Sequence, residues 1–580
     1  MRASLSVVLC LVASCGPREV DPAAVLIGLE IQPANATLTY TGTPVTLEYT
    51  AIGTYADGHT AELTEVTWSL DSDGTRLGAF ADATFAANGQ AAGKGGVFAT
   101  IEDQVAATSV IVNVHPTRLG EGVPPDGASN FPDAPPVGAG SPTIVYPLDN
   151  AVMPTSVKSP NVQWEGPGTD GDLYRVRLVA GNATVDTILA VAPGFTFASQ
   201  LTPEDWRLLV NSATTGITVT VDHWDPTNGA NGGTPVKLAL IPADVSGAIY
   251  YWNLNEGKME KIDANGRSVA IPNPPANPND GSRCIACHSV SKDGRYLSGS
   301  LWGGGLQGAV FDMSDPTITT ADPAPTLAPV STSSYTQLFS TFNPDASRLL
   351  INVGLTFSLI DPKTGQTVPS NGLPTGAVAH PAWSPDGQSV VFINNHNGPT
   401  WGVDYTSGDL AIMSATPGDA FGPATTLAPH SQDTNGYTAP SWPSFSPDSG
   451  FIAYGAGTHS RGDVSGTPHP GSLFVIDRDG GTSHVLDIAC AGQRNCHLPN
   501  FSPYDAGGYF WLVFYSFRDY GNAQAGTKGT RRRQMWVTAI DKAKLASGQG
   551  DPSSVPYWLP DQDHLTNNMS AFWALPAPIF

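Results

Sequence analysis

Cys284-Ile285-Ala286-Cys287-His288 sets two thiols three residues apart and an imidazole directly after the second. Each thiol of such a pair can add to a vinyl group of one haem, and the adjacent imidazole then reaches the iron. A C-x-x-C pair can instead hold zinc, but a structural zinc takes two further Cys or His ligands. It can also close as a simple disulfide, or work as a thioredoxin-like redox pair, which wants a βαβ setting that is missing here. One covalently held haem is the chemistry that these residue types at this spacing predict.

The pentapeptide resembles the attachment site of c-type cytochromes. That resemblance implies haem c bound through Cys284 and Cys287, with His288 as an iron ligand. It covers five residues only, because the flanking sequence lacks a helical cytochrome module. The N-terminus agrees with it on compartment. Arg2, the apolar run Leu5–Val12 and the small residues Ala13-Ser14-Cys15-Gly16 make a secretory signal too short to span a bilayer. Ending in Cys, it looks like a bacterial lipoprotein signal. The likeness implies that residues 1–14 are removed, that Cys15 is lipidated and that residues 15–24 form a tether. A cell-envelope location follows, on an outer membrane facing the periplasm or at the cell surface, with membrane contact through the N-terminal lipid anchor only.

Cys10 then leaves with the signal, and Cys490 and Cys496 remain. An exported protein is free to oxidise them, so a small disulfide loop is expected. His497 follows directly, which leaves an expanded second haem site as the alternative. With 28 basic and 51 acidic residues the net charge is −23. Such a surface repels phosphate backbones, which excludes nucleic acid as a partner, and it steers basic proteins such as small electron carriers towards it. No Gly-rich phosphate loop, H-E-x-x-H or G-x-S-x-G string occurs, and no hydrolytic triad can be singled out.

The elements that must position the motif are strands. Many Gly and Pro residues and few charges predict short strands joined by turns, in an all-β chain of several domains. Residues 25–115 alternate apolar and polar, as in Val45-Thr-Leu-Glu-Tyr-Thr-Ala-Ile52 and Val110-Ile-Val-Asn-Val114, which predicts a β-sandwich. The stretch Gly53–Thr64 with Val66-Thr-Trp68 resembles the bacterial Ig-like group 2 domain. Residues 116–143 lack periodicity and read as a Pro/Gly linker. A second sandwich, over 144–245, looks fibronectin-like, with Trp164 as its core anchor.

Residues 246–580 repeat. Ser291-Lys-Asp-Gly, Asn343-Pro-Asp-Ala, Ser384-Pro-Asp-Gly, Ser446-Pro-Asp-Ser and Ser502-Pro-Tyr-Asp each stand between apolar runs. Their spacing of roughly forty to sixty residues is that of propeller blades. The turns resemble the WD40-like repeats of TolB-type β-propellers, which implies a propeller over this region, with six blades expected. Aligning the turns sets Val290 opposite Trp383. His288 therefore falls near the start of an innermost strand, with His380 and His497 at closely corresponding places in other blades. Electron-carrying haem proteins usually add Met or His opposite the proximal His, whereas a vacant position suits catalysis or gas binding. Met569 and His564, in the tail Asp561–Trp573, join His380 and His497 as candidates for that ligand, Met569 first. The expected function is electron transfer with a redox partner or another envelope protein. A haem-dependent oxidoreductase with substrate in the channel, and a TolB-like binding scaffold with a structural or sensory haem, are the alternatives.

Overall fold

The computed structural model describes residue 21 and residues 25–303, 306–330, 335–400, 402–429, 436–464 and 467–578. The expected signal, with Cys10 and Cys15, lies outside the described residues. The chain is all-β, and its helices among the described residues are ten residues or shorter. Two compact units form. One comprises residues 1–118 with 179–186 and 207–214; the other comprises 119–178, 187–206 and 215–580.

In the first unit Leu26–Gln32 pairs with Thr50–Tyr55, which pairs with Thr60–Leu63. A long hairpin, Gly93–Ile101 with Gln104–Val114, is flanked by Thr67–Leu70 and Ala36–Tyr40. Val110, Val112 and Val114 are buried while Ile111 and Asn113 between them are half-buried, the period-two pattern of a sheet with one face on a core.

In the second unit Trp164 anchors a core as expected, packed against Tyr174, Phe195 and Phe197. The stretch expected as a linker is strapped onto this module over residues 119–143. Phe131 is buried beneath the Arg175 guanidinium, which donates to the Pro132 carbonyl, and Gly232 N–H donates to the Pro136 carbonyl. One buried aromatic and a fixed cation are enough to hold a segment whose composition alone reads as free chain.

Among the described residues, six antiparallel sheets of three to five strands follow, beside the two-stranded ribbon Asp463–Val464 with Thr467–Pro468. Their innermost strands are Asn568–Ala574, Ile285–Val290, Ser340–Phe342, Ala379–Trp383, Ala439–Phe445 and Cys496–Ala506. Each lies against the next, and the last against the first. The ring closes because Asn568–Ala574, the last strand of the chain, completes the first sheet by pairing with Ala248–Asn253.

The repeated turns explain themselves chemically. In Ser291, Ser384 and Ser446 the hydroxyl accepts the backbone N–H five residues on and donates to the turn aspartate, Asp293, Asp386 or Asp448. Asn343 substitutes by accepting Arg348 N–H on its side-chain oxygen. Each hairpin thus satisfies its own loop donors, as Asx and Ser turns do.

The segments around Trp164 and Phe197 are held to the sixth sheet by Asn522, which is fully buried. Its Nδ2 donates to the Trp164, Thr196 and Phe197 carbonyls, and its backbone N–H donates to Gln163 Oε1. Asn522→Ala removes the side-chain donor from the Trp164, Thr196 and Phe197 carbonyls, of which Phe197 keeps the Trp164 N–H, and should cost about 1–2 kcal/mol. A lowered guanidinium chloride midpoint with unchanged slope is the expected reading.

Candidate functional site

All but one of the innermost strands share a bulge that decides where side chains point. Cys287, His380, Trp442, Leu498 and Ser570 hold φ of 47°, 49°, 51°, 54° and 57°, at the same register position of their sheets. A non-glycine residue in this left-handed region costs about 1–2 kcal/mol, so the ring of strands has to enforce it. The bulge breaks the strict alternation of the strand and re-aims the residues around it. At the following position stand His288, Pro381, Pro443, Pro499 and Ala571. Gly299 lies across from the Cys287–His288 bulge, where a Cβ would come within 2.4 Å of Ile285 Cγ2.

Cys284 and Cys287 are half-buried, unbonded thiols. Burial pushes the Cys287 thiol up to about 12, and the neighbouring Cys284 adds to the effect. Cys284 is also raised by burial. No group of three His, Cys, Asp or Glu side chains converges on a metal-sized centre among the described residues.

His288 is buried, its ring edge-on to Phe572 with centroids 5.1 Å apart. Its Nε2 has no hydrogen-bond partner. Burial lowers its pKa to about 4, partly opposed by the carbonyls of Ser570 and Tyr250 beside the ring. The imidazole is therefore neutral at ordinary pH and keeps a lone pair free, the state in which it binds iron. Two free thiols beside an unpartnered neutral imidazole fit the donor set of a covalent haem: the thiols would hold the porphyrin and His288 the iron.

Met569 pairs with Trp252 across the first sheet, in the register where Tyr250 pairs with Phe572. Cross-strand partners share a face, and Trp252, Tyr250 and Phe572 pack on the second sheet with Ile285 and Val290. Met569 thus stands on the face that looks toward the motif, level with Ala286.

The other candidate ligands have contacts of their own, although His380 lines the same cavity as His288. His380 Nδ1 meets the Tyr405 hydroxyl at 3.1 Å, and its ring stacks on Trp442 at 4.0 Å. His497 is turned to the fifth sheet, where a Cβ on Gly462 or Gly471 would come within 2.3 or 2.5 Å of its ring. His564 sits half-buried in the loop before the closing strand, its carbonyl accepting from Arg532 Nη1. His288 has its neighbours in the first sheet, so His380 and His497 occupy different gaps of the ring.

Cys490 and Cys496 are fully buried, unbonded and within hydrogen-bonding reach of each other, in a core with Leu473, Phe514 and Trp536. The string Arg461-Gly462-Asp463 is not a free loop tip: Arg461 pairs with Asp404 at 2.6 Å and Asp463 with Arg533 at 3.2 Å.

His380 and His497 make the fold acid-sensitive. Burial holds His380 well below 6.5 and His497 at about 3. Unfolded, each takes a proton near 6.5; folded, each refuses it. Stability therefore falls as pH drops below about 6.5, by up to about 1.4 kcal/mol per unit for each histidine. Urea midpoints measured from pH 7 to pH 4.5 should decline steadily, and a level profile would contradict these burials.

The innermost strands enclose a cavity of about 210 Å³, lined in part by His288, Ser289, Lys292, Pro381, Trp383 and Asn500. Lys292 was not legible as a site residue from its type, although a signal existed: Pro344, Pro385, Pro447 and Pro503 hold its place in the other turns.

No family model and no curated protein matches the sequence. Among solved structures, the chain is similar to part of a nidogen/laminin complex, at 10% identity over 56% of this chain and 97% of that one, with a TM-score of 0.33. It is also similar to the dihydro-heme d1 dehydrogenase NirN, at 14% identity over 52% of each chain, with a TM-score of 0.28. A third is the Swd1 β-propeller domain of Myceliophteria thermophila, at 11% identity over 52% of this chain and 90% of that one, with a TM-score of 0.27. Likeness this low bears on neither ligand nor reaction.

Proposed function

We propose that this chain is a lipid-anchored envelope protein that carries one covalent haem c on a six-bladed propeller and passes electrons to a partner. Cys284 and Cys287 hold the cofactor, His288 ligates the iron, and Met569 is the opposite ligand. The Ig-like module 25–115 and the fibronectin-like module 144–245 act as the stalk from the lipidated Cys15, and Cys490 and Cys496 oxidise to a disulfide on export. The observation that carries this reading is the buried, unpartnered Nε2 of His288 directly after two free thiols. The net charge of −23 favours a basic redox partner. No helix among the described residues is long and apolar enough to cross a membrane.

The test is the pyridine-haemochrome spectrum of the chain exported together with a haem-attachment system. A spectrum of haem held by two thioethers that survives denaturation supports the reading. A Met–iron band in the oxidised protein, lost in Met569→Ala, supports the second ligand. A folded protein without haem overturns both, and leaves the propeller as a binding scaffold.

A further inference from the structure

The repeat serves as its own control. Where three other innermost strands carry Pro381, Pro443 and Pro499, the second sheet carries His288; where the other turns carry proline, it carries Lys292. Both departures fall in one sheet, and both residues line the same cavity.

Lys292 reaches from the second sheet to the sixth, where its Nζ donates to the Phe501 carbonyl at 3.0 Å. Two of its three N–H donors remain, and no carboxylate pairs with it among the described residues. Although the chain has 51 acidic against 28 basic residues, no Asp or Glu lines the cavity, and Lys292 is its one formally charged group among the described residues. Burial lowers its pKa to about 8, the mark of an ammonium lacking a counter-ion. Part of the wall is ring-bearing and apolar, with Pro381, Pro443, Pro499, Trp383, Phe445 and Phe572, and its polar part is uncharged apart from Lys292. A dry cavity of about 150 Å³ accepts benzene, and this one measures about 210 Å³.

We propose that the cavity within the ring of sheets binds a small aromatic monocarboxylate, its ring against the proline and aromatic walls and its carboxylate on Lys292. A half-buried cation without a carboxylate partner is unfavourable, and an anion of this size offsets that cost while its ring packs on the proline and aromatic walls. Ser289 and Ser444 add hydroxyls to the lining, and Asn500 an amide. Because His288, the proposed iron ligand, also lines the cavity, the proposal is tested with and without the haem-attachment thiols.

Calorimetric titration of the full exported chain with benzoate, benzyl alcohol and inorganic phosphate tests it, repeated on the Cys284→Ala/Cys287→Ala form. One equivalent of benzoate should bind at least tenfold more tightly than benzyl alcohol, and phosphate should not compete. Lys292→Met should reduce benzoate to the affinity of the alcohol. Ala382→Leu, which fills the cavity without altering its charge, should abolish binding of both. Equal affinity for acid and alcohol, full competition by phosphate, or retention of benzoate by either variant overturns the proposal. Should Lys292→Met fail to fold, the benzoate-to-alcohol ratio and Ala382→Leu decide.

Discussion

A chain with Ala at both 284 and 287 is expected to fold as its parent does and to carry no haem that survives denaturation. The two halves of that result have separate physical causes. Both thiols are unbonded, so removing two sulfurs takes away no cross-link, and each loses only one atom of packing. Such substitutions cost on the order of 1 kcal/mol or less, well within the margin of a domain. Thioether attachment, by contrast, has no other route among the described residues, because Cys490 and Cys496 are sealed in the core with Phe514 and Trp536. His288→Gln divides the site further. It should keep the covalently held cofactor while losing the nitrogen ligand, so the iron spectrum changes and the haemochrome yield does not. Haem retained after denaturation in the double alanine chain would end the proposal, as would a His288→Gln spectrum identical to that of the parent.

Much of this architecture could be read from residue order because the deciding signals were local. The turn serines and aspartates satisfy their own hairpins, so the repeat is written in the sequence and aligns Val290 with Trp383 as the register requires. Period-two burial in Val110, Val112 and Val114 is equally local. What escaped depended on long-range packing. The segment 119–143 has a linker's composition and is held by Arg175, more than thirty residues further on. The bulge at Cys287 also escaped, since left-handed φ in a non-glycine residue has no signature of type. It shifts each histidine by one or two positions: His380 matches Cys287, not His288, and His497 matches Ala286. Near-equivalence in the alignment therefore became separation in space. Lys292 and His288 could have been found together by asking where the repeat departs from its own proline pattern.

Ending the chain at Asn567 is expected to abolish cooperative folding of the six sheets. The closing strand Asn568–Ala574 is contributed by the chain's far end, so its loss turns Ala248–Asn253 into an unpaired edge and opens the ring. Trp573 is nearly fully buried, and its backbone N–H is held by Asn500 Oδ1 at 2.9 Å. Burying an indole removes roughly 200 Å² from water, worth about 5 kcal/mol. That single side chain matches the lower end of a whole domain's stability, about 5–15 kcal/mol, before the lost ladder of hydrogen bonds is counted. Trp573→Ala in the full chain should be milder, about 3–5 kcal/mol, with folding retained. The comparison is made by near-UV circular dichroism and denaturant midpoints: loss of the aromatic signal in the truncation but not in Trp573→Ala is the expected pattern. Equal cooperativity in the truncated chain would show that the ring stands without its last strand. The same cut removes Phe572 from the face of His288 and Met569 from the motif's level. Stable haem attachment and ring closure should therefore fail together, because the strand that locks the fold is also the wall of the site.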